Sequence, residues 1–151
     1  MMPRFYRTVF TFCILLLSNI ALFHQNQANA ETSEVATKVA IDGYDTVAYF
    51  TLKKATRGSK QFTHQWNDKI WYFSSAENRE LFAASPERFA PQFNGFCANG
   101  LSDGHAVAAN PKNWRIIDGK LYLFFSEYGR DQWQGNVKPL IEEARQTFQN
   151  Q

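Results

Sequence analysis

The amino-acid sequence predicts an α+β fold in a single domain: a small antiparallel sheet built from two hairpins, with helices after each. Three observations predict it. Asp118-Gly119 separates the β-rich runs Trp114-Arg115-Ile116-Ile117 and Lys120-Leu121-Tyr122-Leu123-Phe124-Phe125, the pattern of a type I′ hairpin. Asn67-Asp68 separates Phe62, His64 and Trp66, which alternate with polar residues, from Ile70-Trp71-Tyr72-Phe73, a second hairpin. Helix starts then follow both hairpins, at Ser74-Ser75-Ala76-Glu77 after the first and at Ser126 and Val137-Lys138-Pro139 after the second.

The chain has 151 residues, and the first 30 read as a cleaved signal peptide. Arg4 and Arg7 precede an apolar run from Thr8 to Phe23, and Ala28-Asn29-Ala30 follows, so cleavage is expected after Ala30. The run is short for a membrane span of about 20 residues, and no stable membrane anchor is expected after cleavage. Cys13 lacks the small neighbours of a lipidation site. The mature chain is therefore expected to be periplasmic or secreted.

Two of the 16 basic residues and none of the 14 acidic ones fall in that segment, so residues 31–151 carry 14 of each. A neutral domain excludes nucleic acid and anionic membrane surfaces as partners, since both are bound through an excess of Lys and Arg. The 10 Phe, 4 Trp and 5 Tyr left after residue 30 exclude disorder.

Residues 31–37 are polar and read as a flexible lead-in, with the domain over 38–151. Val39-Ala40-Ile41 is short and apolar. Asp42 and Asp45 bracket Gly43-Tyr44, which reads as turn chemistry rather than as a working carboxylate pair. Val47-Ala48-Tyr49-Phe50 reads as a short buried strand, and Lys53 to Lys60, with four positive charges, as a solvated loop. A Ser at the N-cap and Glu77 three residues on form a capping box, so Ser74 is the predicted cap of a helix carrying Leu81 and Phe82. Pro86 opens a second short helix over Glu87-Arg88-Phe89-Ala90. Pro91 to Asn113 is rich in Gly, Pro and Asn and reads as a long irregular connection. The last helix runs to Phe148, with Leu140, Ile141, Ala144 and Phe148 on one face.

Most enzyme signatures are absent: no phosphate-binding Gly-rich loop, no G-x-S-x-G, no H-E-x-x-H and no Cys-x-x-Cys. Cys97 is the one cysteine after residue 30, so no disulfide forms within the mature chain. It sits between glycines in Asn94-Gly95-Phe96-Cys97-Ala98-Asn99-Gly100. Two readings stay open for it: a presented thiol, able to bind a soft metal or act as a nucleophile, or a small buried residue between aromatics. His105 lies eight residues on in the same loop, and His64 lies on a strand beside Trp66; both are candidate second ligands.

Three separated blocks agree in order with one family. Ala40-Ile41-Asp42-Gly43-Tyr44-Asp45-Thr46-Val47-Ala48-Tyr49-Phe50 resembles the opening of exported bacterial YHS-domain-containing proteins. Trp71-Tyr72-Phe73-Ser74-Ser75-Ala76-Glu77-Asn78, Phe82 and Ser85-Pro86-Glu87-Arg88-Phe89 resemble the YHS core. Gly95-Phe96-Cys97-Ala98, Asp118-Gly119-Lys120-Leu121-Tyr122-Leu123 and Trp133 resemble the C-terminal half. The likeness covers residues 38 to 148. It implies kinship with metal-associated cysteine modules whose strand-to-helix junction carries thiols. Here that junction reads Ser74 and Asn78, so no metal is carried over to it. The cysteine that matches this subfamily is Cys97.

The function expected from the sequence is an exported binding module. It would hold a soft transition metal ion, copper or zinc, through Cys97, with His105 or His64 as second ligand. The alternatives are a non-catalytic domain with an unidentified protein partner, and a thiol redox protein using Cys97.

Overall fold

The computed structural model describes residues 38–151. The expected signal peptide, its Ala28 and Ala30 site, and the lead-in lie outside the described residues. Both hairpins form where their turn residues place them. Strands β2 (Ser59–Trp66) and β3 (Lys69–Phe73) pair antiparallel, Trp66 opposite Lys69. Asn67 and Asp68 between them both adopt positive φ, 51° and 56°. A type I′ turn demands that, and short polar side chains tolerate it. Strands β4 (Asn110–Ile117) and β5 (Lys120–Phe124) pair the same way, with Asp118 and Gly119 at φ 50° and 73°.

The two hairpins do not share a sheet. Strand β1 (Lys38–Val39) adds parallel to β3, giving the order β1-β3-β2, while β4 and β5 form a separate two-stranded sheet. The edge of β3 that a second hairpin would have used is thus taken by β1. The α+β class holds, but the single antiparallel sheet is two sheets, one of them mixed.

Two local readings change, each for a physical reason. Val47–Phe50 is not a strand: Ala48–Thr51 forms a short helix, α1. The Asp45 carboxylate accepts hydrogen bonds from the backbone N–H groups of Val47 (2.9 Å) and Ala48 (3.2 Å), and this capping overrides the β preference of the side chains. Helix α2 (Ala76–Ala84) is capped by Ser75, whose Oγ accepts from the Asn78 N–H at 3.2 Å, one residue later than Ser74. Ser74 is engaged elsewhere, as described below. The backbone N–H of Glu77 itself, then the Ser75 hydroxyl, hold the Glu77 carboxyl below the usual carboxylate range. Pro86–Phe89 forms the expected short helix, α3.

The stretch from Pro91 to Asn113 is more ordered than its composition predicts. It holds a tight turn over Gln92–Gly95, helix α4 (Ala98–Ser102) and the start of β4. In the tight turn Phe93 and Asn94 adopt positive φ, 58° and 55°. Helix α5 (Glu127–Gln132) is capped by Ser126 Oγ, and α6 (Lys138–Gln149) closes the chain with Pro139 in its first turn.

Burial gathers three groups of side chains. Val47, Trp71, Phe73 and Phe82 pack between the first sheet and α2. Cys97, Leu101, Tyr122, Phe124, Trp133 and Ala144 pack between the second sheet, α4 and α6. Tyr49, Leu121 and Leu123 pack on the other face of β5, together with Trp114 and Ile116. Gly58 is required by close approach: a Cβ there would lie 2.4 Å from the Tyr72 carbonyl carbon.

Tyr49 is fully buried and donates its hydroxyl proton to the Pro111 carbonyl at 2.8 Å. Burial pushes its pKa well above the ordinary value of 10.0, with Tyr44 and Asp45 adding to the shift. The folded chain therefore holds this proton more tightly than the unfolded chain does. Its contribution to stability is whole below pH 10 and falls as the pH rises above it, by up to about 1.4 kcal/mol per unit. Urea unfolding on either side of pH 10 is expected to show that loss, and Tyr49→Phe is expected to show less of it. Equal pH dependence in the two proteins would remove Tyr49 as the cause.

Candidate functional site

Cys97 sits at the N-cap of α4, 3% exposed. Its sulfur accepts two backbone hydrogen bonds, from Gly100 N–H at 3.3 Å and from Phe125 N–H at 3.2 Å. The first caps α4; the second ties that helix to the end of β5. Its own N–H donates to the Val107 carbonyl at 2.8 Å. Gly100 lets the following loop fold back, since a Cβ there would meet the His105 carbonyl oxygen at 2.9 Å. The glycines near Cys97 thus serve turns and close packing, and the thiol is an acceptor inside a core.

The two histidines differ in setting. His105 is exposed, and its backbone N–H donates to the Gly100 carbonyl at 2.7 Å. His64 lies half-buried on β2, its ring edge-on to Phe82 with centroids 5.8 Å apart. Among the described residues no three His, Cys, Asp or Glu side chains converge as a metal-holding group. No step through a metal is derived from Cys97, His105 and His64.

The strand-to-helix junction holds a different device. Asp45 is fully buried, and both its oxygens are occupied. Oδ1 takes the Val47 and Ala48 N–H groups; Oδ2 takes the Ser74 N–H (2.8 Å), the Ser74 hydroxyl (2.6 Å) and the Asn78 amide (2.7 Å). Five donors satisfy the carboxylate, with no cationic partner among the described residues. Asp45 thereby clamps the segment before α1 to the β3–α2 junction. Asp42 is different: it is exposed, and its carbonyl accepts from Arg57 Nη1 at 2.6 Å. The turn reading holds for Asp42, while Asp45 organises the fold across the chain.

One groove stands out by its chemistry. It runs along Trp114–Ile117 of β4, faces Trp133, Gln134, Gly135 and Val137, and encloses about 540 Å³. Trp133 is 1% exposed and packs against Tyr122 and Phe124, ring centroids 5.5 and 5.4 Å away. Its indole Nε1–H is the only buried side-chain polar atom among the described residues without a hydrogen-bond partner. Leaving such a donor unmatched costs about 1–3 kcal/mol, and an acceptor brought to it recovers that.

Arg115 is the one charged residue among the described residues that line the groove. Its Nε donates to the Arg130 carbonyl at 3.1 Å, and its Nη2 reaches Asp131 at 3.4 Å. Arg130 shares that carboxylate at 2.9 Å. The hydrogen bond from Arg130, then the two positive charges, hold the Asp131 carboxyl below its usual range.

Sequence reasoning singled out neither Asp45 as a clamp nor Trp133 and Arg115 as groove residues. Asp45 had a signal, an Asp placed two residues before a short apolar segment, which is N-cap spacing. Trp133 had none, because its unmatched N–H is a property of packing. No helix of the described residues is long and apolar enough to cross a membrane. No protein-family profile, no curated protein and no solved structure matches this chain.

Proposed function

We propose that the chain is an exported binding module of the YHS type whose ligand site is the groove along β4, with Cys97 acting as an internal acceptor. One observation carries the reading: the groove is lined by Trp133, whose buried indole N–H lacks an acceptor. A ligand that brings an acceptor to that N–H, once the side chains covering it yield, gains a hydrogen bond without first breaking one. The resemblance of residues 38–148 to exported YHS-domain proteins supports the compartment and the small-module scale. A partner bound here is chosen by hydrogen-bond acceptors rather than by affinity for a soft metal.

The test is a random-peptide display selection on residues 31–151, followed by titration of the selected peptides into ¹⁵N-labelled protein. The chain has four Trp, so the indole N–H signals are few. The Trp133 indole N–H is expected to move downfield as peptide is added. Gln134→Trp, which fills the mouth of the groove at an exposed position, is expected to weaken binding at least tenfold. Selected peptides that leave the Trp133 signal in place, or bind Gln134→Trp unchanged, would overturn the reading.

A further inference from the structure

We infer that the chain has a second ligand site, a cavity between the start of β5 and the first turns of α6, which takes the carboxylate of a small organic acid on the Tyr122 hydroxyl and Lys138. The cavity encloses about 410 Å³, within the range of about 300–1,000 Å³ found for ligand sites. It shares no lining residue with the groove along β4, so the two sites stand or fall separately.

Tyr122 is the observation that points to a ligand. It lies in the middle of β5, 3% exposed, and its ring packs against Phe93 and Trp133, centroids 5.9 and 5.5 Å away. The hydroxyl at the far end of that ring has no hydrogen-bond partner among the described residues. Unlike the Trp133 N–H, it is not closed off from solvent, and Tyr122 lines the cavity. Three other lining residues, Arg145, Asp118 and Glu142, act on it through their charge, which sets the hydroxyl at the cavity end of the side chain. Burial raises its pKa, Arg145 opposes the rise, and Asp118 and Glu142 add to it. The group is therefore a protonated phenol at neutral pH, a donor held toward the cavity by a ring locked in the core. An acceptor placed there is bound with little further ordering of the protein.

Charge selects a monoanion. The lining holds three cationic side chains and two carboxylates, a net charge of +1. Arg145 Nη1 donates to both oxygens of Glu142, at 2.5 and 2.7 Å, so that pair is matched within the wall. Asp118 is left against Lys120 and Lys138, neither of which forms an ion pair among the described residues. Glu143, the next residue of α6, does not line the cavity. α6 itself adds to the positive side. Lys138 is its first residue, and no side chain caps its N-terminus, so the positive end of the helix stays open beside the cavity. A carboxylate brings one negative charge and two acceptor oxygens, enough for one hydroxyl and one ammonium. A phosphate dianion would leave an excess of negative charge. Ile141 gives the wall an apolar residue for the organic part of the acid.

The probes are butyrate, hexanoate, hexylamine and inorganic phosphate, titrated at one ionic strength into the ¹⁵N-labelled protein. Hexanoate is expected to shift the amide signals of Tyr122, Lys138 and Ile141 saturably, with a dissociation constant of about 1 mM or below. Butyrate is expected to bind at least threefold more weakly, phosphate at least tenfold more weakly, and hexylamine to leave those signals in place. Tyr122→Phe is expected to weaken hexanoate binding at least tenfold and to leave the urea midpoint unchanged, since its hydroxyl has no partner in the fold. Lys138→Gln is expected to weaken it at least threefold. Hexanoate binding that Tyr122→Phe retains would overturn the inference. So would phosphate binding as tightly as hexanoate, shifts that hexylamine reproduces, or no saturable shift with either acid. A lower urea midpoint for Tyr122→Phe would mean that the hydroxyl is bonded within the fold, and would overturn it too. None of these outcomes bears on the groove, which is judged at Trp133.

Discussion

Asp45→Asn is expected to lower stability by about 3–5 kcal/mol, the range seen when a buried charged hydrogen-bond network is broken. The substitution keeps the shape of the side chain. It replaces one carboxylate oxygen, however, with an NH₂ group that faces donors. Oδ2 meets three donors, Ser74 N–H, Ser74 O–H and Asn78 Nδ2, and Oδ1 meets two, Val47 N–H and Ala48 N–H. Whichever way the amide turns, at least two donors lose their acceptor in a fully buried site. A fall in Tm of about 10–20 °C follows for a domain of this size. Ser74→Ala removes one donor and leaves the carboxylate with the rest, so about 1 kcal/mol is expected for it. Thermal and urea unfolding read both. An Asp45→Asn protein within 1 kcal/mol of the parent would end the claim that this carboxylate holds the two segments together.

Phe82→Ala is the second large effect, about 3–5 kcal/mol. Phe82 is fully buried on α2 and meets four rings: Trp71 at 4.9 Å, Phe73 at 5.1 Å, and Trp66 and His64 at 5.8 Å between centroids. Truncation leaves a cavity under the whole inner face of the first sheet, and rings held on a strand collapse poorly into it. Phe82→Leu keeps most of the volume and should cost about 1–1.5 kcal/mol. Urea unfolding of the two variants gives the comparison, and near-equal losses would mean that α2 is not the lid of that core.

How far the sequence could be read depends on the range of each interaction. The hairpins at Asn67-Asp68 and Asp118-Gly119 were legible because turn chemistry is settled within a few residues. The pairing of β1 with β3 was not, since two residues carry no pattern. α1 was misread as a strand because the cap at Asp45 outweighs the β preference of Val47, Tyr49 and Phe50. The shift of the α2 cap from Ser74 to Ser75 follows from a bond to Asp45, 29 residues earlier in the chain. The burial of Cys97 depends in the same way on Phe125, 28 residues later. The groove was invisible for a further reason. A hairpin sequence does not say which of its edges stays open, and an indole does not say whether its N–H finds an acceptor.

Whether function rests on the thiol or on the groove is decided first at Cys97. The measurement is thiol labelling of residues 31–151 under native conditions, with and without Cu(I) and Zn(II), followed by intact mass. With its sulfur bonded to Gly100 and Phe125 N–H groups and 3% exposed, Cys97 is expected to label only as fast as the protein unfolds, with or without metal. Rapid native labelling that metal blocks would contradict this account and return the site to the thiol.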